Sequence, residues 1–287
     1  MNFDENETLE SAITRNVRDA LYEDIGKGDW TAQLVPADRV MDVEVLAKED
    51  AVICGRPWFD RCILSLDRTA RIDWRCEEGA RVAPGSVVSR INGRARALLS
   101  TERPALNFLQ MLSGVATVTR AYVEAIKGAS PNPGGCAILD TRKTVPGLRQ
   151  AQKYAVRIGG GTNHRMALWD GILIKENHIA AAGGIVAALD AARKLRADVA
   201  IQIEVERLAE LEEALAAGAE NILLDDFTLE DMHRAFKLNT GRALLEVSGG
   251  VDMTMVRDIA ATGVDRISIG KLTKDVRAID LSMRVTG

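Results

Sequence analysis

The stretch VAIQIEVERLAELEEALAAGAENILLD, residues 199–225, decides the fold of the second half of the chain. It begins with a short apolar run rich in β-branched residues, continues with an amphipathic segment over 208–217, and ends with a second apolar run over 221–225. Two short buried strands joined by a helix are typical of a parallel βαβ unit. The stretch therefore predicts a parallel sheet covered by helices.

The same period of strand, loop and helix continues outward on both sides of this stretch. The predicted strands are 137–140, 171–175, 199–206, 221–225, 243–248 and 265–270, and the predicted helices are 148–158, 185–195, 208–217, 229–238 and 253–261. At least six repeats in one chain favour a (β/α) barrel over an open sheet. A dinucleotide-binding fold would need G-x-G-x-x-G after the first strand, whereas the glycine run at 159–161 follows a helix.

The chain before residue 115 has a different pattern. Residues 8–23 predict an amphipathic helix, residues 42–54 predict strands around a turn, and residues 102–128 predict a long helix interrupted or bent near Ser113 and Gly114. The glycine spacing of 79–93 is similar to that of biotin- or lipoate-carrying modules, but this stretch contains no lysine to modify. We therefore predict an N-terminal domain over 1–115 and a barrel domain over 116–275.

Composition excludes several classes of protein. Lys and Arg number 37 against 41 Asp and Glu, a net charge of −4, which disfavours a general binder of nucleic acid or membrane surfaces. No apolar run is long enough to span a bilayer, and the acidic N-terminus does not resemble a signal peptide. The four cysteines form no C-x-x-C and have no histidine at zinc-ligand spacing, so we expect free thiols in a reducing cytoplasm.

Every predicted barrel strand ends in charged residues or glycine. The loop before the second predicted strand adds further charged residues and glycines. In such barrels the site lies at the carboxyl ends of the strands. The cationic candidates are Arg142, Lys143, His164, Arg165 and Lys175, the anionic candidates are Glu204 and Asp225, and the small ones are Ser248, Gly249 and Gly270. Clustered cations would repel one another without an anion between them, and strand-end glycines before a helix are typical of a phosphate site. Two carboxylates near a phosphate suit Mg²⁺.

These residues lie in a block, DTRKTVPGLRQAQKYAVRIGGGTNHRMALWDGILIKENHI over 140–179, that resembles the quinolinate phosphoribosyltransferase family. The resemblance extends in order through EDIGKGDWT (23–31), ARALLSTERPALNFLQMLSGVAT (95–117), IEVERLAELEEALAAGAENILLDDF (203–227), EVSGGV (246–251) and VDRISIGKLTKDVRAIDLSMR (264–284). It implies that quinolinate and phosphoribosyl pyrophosphate, with Mg²⁺, give nicotinate mononucleotide, pyrophosphate and CO₂.

The resemblance also implies an architecture. It comprises an N-terminal α/β sandwich and a C-terminal open α/β barrel of about seven strands, with the tail 276–287 returning to the sandwich. The family is built on a homodimer in which one subunit closes the barrel of the other, and some members are hexamers. Arg103 would therefore enter the site of the neighbouring subunit.

Roles follow from the resemblance residue by residue. The side chains that would hold the two quinolinate carboxylates and a nearby phosphate are Arg142, His164, Arg165 and Lys175. Lys143 would contact the diphosphate or the ring carboxylate, and Glu204 and Asp225 would position the ribose hydroxyls and the metal. The 5′-phosphate would lie on the backbone N–H groups of Ser248, Gly249 and Gly270. Lys274 stands where the family varies between His and Lys, and Asp226 stands where the family often has Asn.

Two other functions stay open from the residues alone, a Schiff-base lyase and a metabolite-binding protein, and a third, an ordinary phosphoribosyltransferase, is rejected. A Schiff-base lyase would use Lys175 as its nucleophile, because that lysine ends a barrel strand. An ordinary phosphoribosyltransferase is suggested by the acidic pair at 225–226, but a Gly/Thr-rich phosphate loop does not follow it. A protein that binds a phosphorylated metabolite, or assists its transport, would bind such ligands without turnover.

Overall fold

The structure, a computed structural model, describes residues 6–286. The remaining six residues lie outside the description: five belong to the acidic N-terminus, for which no signal peptide is predicted, and Gly287 ends the predicted tail. The chain divides into two compact units. The first comprises the residues up to Arg120, Thr144–Gly160 and the residues from Thr273 on, and the second comprises Ala121–Lys143 and Gly161–Leu272. The predicted boundary near residue 115 did not assign residues 144–160 to the first unit. The domain boundary stays a prediction.

The strands alternate with helices over most of the chain. In chain order the strands are β1 (Val40–Ala47), β2 (Ala51–Val52), β3 (Arg71–Trp74), β4 (Arg81–Val82), β5 (Val87–Arg94), β6 (Ala137–Leu139), β7 (Ile172–Ile174), β8 (Ile201–Val205), β9 (Asn221–Asp225), β10 (Leu244–Ser248), β11 (Arg266–Ser268) and β12 (Leu281–Val285).

The helices include three that the sequence did not predict, over 56–66, 176–182 and 271–274. The α-helices are α1 (Leu9–Ile25), α2 (Arg56–Leu66), α3 (Ala95–Ala125), α4 (Arg149–Ile158), α5 (Glu176–Ala182), α6 (Ile185–Lys194), α7 (Leu208–Ala216), α8 (Leu229–Asn239), α9 (Val256–Ala261) and α10 (Lys271–Lys274). A short 3₁₀ turn covers Ala32–Leu34.

The first unit is built on an antiparallel sheet of four strands in the order β12-β1-β5-β3. The C-terminal strand β12 pairs with β1, so that Val43 lies opposite Val285 and Ala47 lies opposite Leu281. Helix α1 begins where Thr8 Oγ1 accepts a bond from the backbone N–H of Ser11 (3.1 Å), which satisfies one of the unpaired donors of the first turn. Its apolar face is buried, as the spacing of its apolar residues predicts.

Helix α3 is continuous through Ser113 and Gly114, so the predicted interruption there is wrong. Both residues serve packing instead. Ser113 Oγ accepts a bond from the N–H of Cys54 (2.9 Å) and donates to its carbonyl oxygen (3.2 Å). A Cβ at position 114 would lie 3.1 Å from the carbonyl carbon of Arg277 and closer still to its oxygen. Glycine is therefore required because the backbone of the C-terminal segment passes directly over the helix.

The second unit is built on six parallel strands in the order β6-β11-β10-β9-β8-β7. A parallel bridge between Leu139 and Thr162 adds a seventh position beside β6. Within the described residues β7 has β8 as its single sheet neighbour, so the barrel is open on that side. The predicted α/β fold with an open barrel of about seven strands is thus confirmed as six strands and one bridge.

Parallel order has a consequence for function. The carboxyl ends of all six strands face the same edge of the sheet, and the helices that follow begin there. The strand interiors are apolar: Ile203, Val205, Leu245, Val247 and Ile267 are fully buried. In the described part of the chain no helix is long and apolar enough to cross a membrane.

The close approach at Gly114 predicts the effect of one methyl group. Gly114→Ala forces the C-terminal segment away from α3, because the added Cβ overlaps the backbone of Arg277. We expect the free energy of unfolding to fall by about 1–3 kcal/mol, the usual cost of overpacking, measured by urea denaturation. Gly134→Ala is the control, since its nearest atom would be 3.5 Å away. An equal effect in both variants would contradict the assignment.

Candidate functional site

The second unit holds ten of the twelve predicted site residues, all at the carboxyl edge of its sheet or in the loop before β7. The other two, Arg103 and Lys274, belong to the first unit. Arg103 is exposed and lines a small cavity with Glu23 and Asp24, whereas the Lys274 ammonium pairs with Asp275.

Two guanidinium groups at this edge lie within electrostatic reach of each other. Burial lowers the pKa of Arg165, and the positive charge of Arg142 lowers it further. Arg165 is held by a bond from Nη1 to the carbonyl oxygen of Gly171 (3.0 Å). Like charges held this near each other are stabilised by an anion, and guanidinium groups match carboxylate or phosphate oxygens in pairs.

Lys143 reaches from the end of β6 to the end of β11. A Cβ at Gly270 would lie 3.2 Å from Lys143 Cδ, so the lysine side chain passes directly over this glycine. The turn that carries the lysine is fixed by a bond from its backbone N–H to Thr141 Oγ1 (3.1 Å). The structure thus brings a predicted cation and a predicted phosphate-binding glycine together.

Lys175 and Glu204 form an ion pair between neighbouring strands. Lys175 Nζ donates to both carboxylate oxygens of Glu204, at 3.0 and 2.9 Å. Burial raises the pKa of Glu204 and Lys175 lowers it, while the negative charge of Asp225 raises it again. The ion pair occupies the lysine Nζ with both oxygens of Glu204, which disfavours the Schiff-base alternative because that chemistry needs an amine free to attack a carbonyl.

The ends of β9 and β10 are linked side by side. Ser248 Oγ donates to Asp225 Oδ1, and the backbone N–H of Asp226 donates to the carbonyl oxygen of Ser248 (3.2 Å). Asp226 is left-handed, with φ of 53°, and its carboxylate lies against Gly249, where any Cβ would overlap it. Gly249 and Gly250 follow with φ of 97° and 56°, a backbone that only glycine adopts readily.

The two predicted metal ligands fit a partial coordination sphere. Glu204 lies near enough to Asp225 for that negative charge to raise the pKa of Glu204, and both side chains are carboxylates, which Mg²⁺ prefers. Among residues 6–286 no group of three or more His, Cys, Asp or Glu side chains could hold a metal ion. Mg²⁺ commonly uses one or two carboxylates and takes its other ligands from phosphates and water.

Sequence reasoning missed four polar residues that lie beneath this edge. They are Asp140, Gln202, Glu246 and Ser268, all buried. Asp140 Oδ1 accepts the backbone N–H of His164 (2.9 Å). The signal was present as a polar residue inside otherwise apolar parallel strands, a position that normally holds Val, Ile or Leu.

The fold and the site together define a class: an open α/β barrel suited to small anions at its strand ends, in a chain that also forms an antiparallel sheet unit. The sequence matches the family model "Quinolinate phosphoribosyl transferase, N-terminal domain" over residues 29–113 and the corresponding C-terminal domain over residues 115–284. The chain belongs to the quinolinate phosphoribosyl transferase family.

Relatives support the same assignment over nearly the whole chain. A nicotinate-nucleotide pyrophosphorylase [carboxylating] of Mycobacterium leprae is 42% identical over 282 residues, covering 95% of this chain and 96% of that protein. A probable nicotinate-nucleotide pyrophosphorylase [carboxylating] of Bacillus subtilis is 40% identical over 265 residues, covering 92% and 90%. The structure of the nicotinate-nucleotide pyrophosphorylase from Francisella tularensis aligns with a TM-score of 0.92 at 43% identity, covering 99% and 100%.

The ion pair at Glu204 predicts a stability that depends on pH. Lys175→Met removes the group that lowers the pKa of Glu204, so this pKa rises further above its value in the unfolded chain. A carboxyl group with a raised folded pKa loses stability as pH rises from its unfolded pKa through its folded pKa. We expect Lys175→Met to cost about 2 kcal/mol at pH 7, below the roughly 3–5 kcal/mol of fully buried pairs because the lysine side chain is 45% exposed.

The measurement is urea denaturation of wild type and variant at pH 7 and at about pH 4, where the loss becomes smaller. The double variant Lys175→Met/Glu204→Gln serves as the control, since it removes the unpaired charge and its loss of stability relative to wild type does not grow from about pH 4 to pH 7. An equal loss at both pH values in the single variant would show that the ion pair does not govern Glu204.

Proposed function

We propose that this protein transfers the phosphoribosyl group of phosphoribosyl pyrophosphate to quinolinate, with loss of CO₂, to give nicotinate mononucleotide and pyrophosphate. The observation that carries the proposal is the pair of guanidinium groups, Arg142 and Arg165, at the same strand edge as the carboxylates Glu204 and Asp225. Quinolinate presents two adjacent carboxylates, and the developing charge on the ribose is positive, so each substrate meets side chains of opposite charge. The names of the relatives support the same reaction.

Substrate binding divides among the strand ends. Arg142, Arg165 and Lys175 hold the quinolinate carboxylates, and Lys143 reaches the diphosphate or the ring carboxylate. The 5′-phosphate rests on backbone N–H groups at Ser248, Gly249 and Gly270, with Lys274 as a further phosphate contact. Holding two anionic substrates in line supplies much of the rate, because the reaction needs no strong general base.

The carboxylates act on the transferred group. As the bond between the ribose carbon and the diphosphate breaks, positive charge develops at that carbon, and Glu204 and Asp225 stabilise it. These two residues would also hold Mg²⁺, which supplies charge neutralisation for the leaving pyrophosphate. The quinolinate nitrogen forms the new bond and becomes a pyridinium. When CO₂ leaves, its bonding electron pair stays on the ring carbon next to that nitrogen, and this carbon then takes up a proton.

The finer assignments are an assembly and a location. We propose a homodimer in which Arg103 enters the site of the partner subunit, with a hexamer as the alternative. Large apolar side chains exposed on the first unit support a partner surface: Tyr22, Trp30 and Leu34 are 81%, 78% and 83% exposed. We also propose a cytoplasmic location, supported by four cysteines that are all free thiols.

The reaction itself is tested with the purified protein, quinolinate, phosphoribosyl pyrophosphate and Mg²⁺, following CO₂ and nicotinate mononucleotide. We expect turnover by wild type and a loss of at least about 100-fold in kcat/KM for Lys143→Ala and for Glu204→Ala, since each removes a charge that faces a reacting group. Lys237→Ala and Glu230→Ala, on the exposed face of α8, are matched controls that keep full activity. Folded wild type that binds quinolinate without turnover would favour the metabolite-binding alternative.

The shared site is tested by mixing two inactive variants. Arg103→Ala and Lys143→Ala are each expected to be nearly inactive, yet a mixed dimer would contain one site with both residues intact. Because about half of randomly formed dimers are mixed, coexpression restores roughly a quarter of wild-type activity. Activity no higher than the average of the two variants would show that Arg103 does not complete the partner's site.

A further inference from the structure

A chain of buried polar side chains crosses the interior of the second unit below the candidate site. Gln202 on β8, Glu246 on β10 and Ser268 on β11 are 7%, 1% and 5% exposed. Gln202 Nε2 donates to Glu246 Oε2 (3.0 Å), and Ser268 Oγ donates to Glu246 Oε1. A buried carboxylate is costly unless its oxygens accept hydrogen bonds, and these two partners meet that need. None of the three residues has a part in the reaction proposed above.

The chain of hydrogen bonds ends at His164. The ring atom Nε2 lies 3.0 Å from Gln202 Oε1 and 3.4 Å from Glu246 Oε1. On the other side of the ring, Nδ1 accepts the backbone N–H of Arg165 at 2.8 Å. Both ring nitrogens of His164 therefore have partners inside the protein.

The direction of these bonds fixes the tautomer. A backbone N–H can only donate, so Nδ1 carries no proton. The proton of the neutral ring is then on Nε2, and it points to Gln202 Oε1. Gln202 must present its oxygen to the ring because its amide nitrogen is donating to the Glu246 carboxylate. A second proton, on Nδ1, would place two donors face to face and break the bond from Arg165.

We infer that Glu246, Gln202 and Ser268 are positioning residues that hold His164 as the neutral Nε2–H tautomer, so that His164 orients Arg165 instead of binding a substrate carboxylate as a cation. The identity of that substrate as quinolinate rests on the proposed function. This role differs from the one that the family resemblance implies for His164, which is a direct carboxylate contact.

Hydrogen bonds fix each consecutive residue of the loop from Asn163 to Arg165, and the buried network is part of this set of contacts. Asp140 Oδ1 accepts the His164 N–H (2.9 Å), and Asp140 also accepts the side-chain amide of Asn163. Arg165 is then fixed at its backbone by the His164 ring and at its guanidinium by the carbonyl oxygen of Gly171. Its orientation against the positive charge of Arg142 needs such anchoring, because the two groups repel each other.

The tautomer is tested directly by NMR on the whole protein labelled with ¹⁵N-histidine. The chain has three histidines, and the spectrum of His164→Gln identifies the signal of His164. We expect an unprotonated Nδ1 and a protonated Nε2, both in the free protein and after quinolinate is added. A doubly protonated ring in the quinolinate complex, or an Nδ1–H tautomer in the free protein, would overturn the inference.

The positioning role is tested by Gln202→Leu and Glu246→Gln, with the exposed Glu230→Gln on α8 as the control for a lost charge or carboxylate. Gln202→Leu removes the partner that holds the ring in the orientation in which Nδ1 accepts the Arg165 N–H. A ring that leaves this orientation is no longer restricted to one tautomer, so its spectrum should contain both. In both network variants we expect the quinolinate KM to rise by at least about tenfold while the KM for phosphoribosyl pyrophosphate changes by less than about threefold. A wild-type tautomer in Gln202→Leu, or equal changes in both KM values, would overturn the inference.

Failure of the proposed function remains distinguishable from failure of this inference. The NMR measurement on the free protein needs no substrate, so it decides the tautomer even if wild type does not turn quinolinate over. If wild type binds quinolinate without turnover, the dissociation constants from calorimetry replace the KM values, with the same expected increase of at least about tenfold. If the network variants fail to fold, the wild-type spectra alone decide.

Discussion

Two guanidinium groups within electrostatic reach of each other are the constraint on which the rest of the site depends. Arg142 follows β6 and Arg165 precedes β7, and the charge of the first lowers the pKa of the second. Such a pair of like charges is stable only where the backbone on both sides is fixed and where an anion can bind between the charges. The barrel supplies the first condition, because parallel strands bring all their carboxyl ends to one edge.

Much of this arrangement was predictable because it depends on local patterns. A short β-branched run followed by an amphipathic segment indicates a βαβ unit, and the six predicted strands all exist. Strand β9 has its predicted bounds, and the other five are shorter by a residue or two at one or both ends. Charged residues or glycines at the strand ends then predict, from the sequence alone, that Lys143, Glu204 and Asp225 lie at the carboxyl edge of the sheet. Helix α2 was missed because its sequence, RPWFDRCILSL, mixes charged and aromatic residues with no clear period.

The buried polar contacts below the site could not be predicted, because they depend on strand register and on the direction of hydrogen bonds, which a sequence does not contain. Gln202 and Glu246 meet across the intervening strand β9, so their partnership depends on how three strands align. Clustering of cations suggested that His164 binds an anion, whereas the structure shows its Nδ1 accepting the backbone N–H of Arg165. Composition could not distinguish a histidine that binds an anion from one that holds its neighbour in place.

At Asp226 the requirement of the backbone conformation can be considered apart from the charge of the side chain. Its left-handed conformation favours Asn or Asp over other side chains, because a short polar group tolerates positive φ. The family's frequent Asn and the Asp of this chain therefore satisfy the same local demand. The charge is an independent variable, and it lies against Gly249, where the proposed 5′-phosphate would rest. A carboxylate there opposes a phosphate, so the proposed 5′-phosphate site depends more strongly on the backbone N–H groups at the ends of β10 and β11.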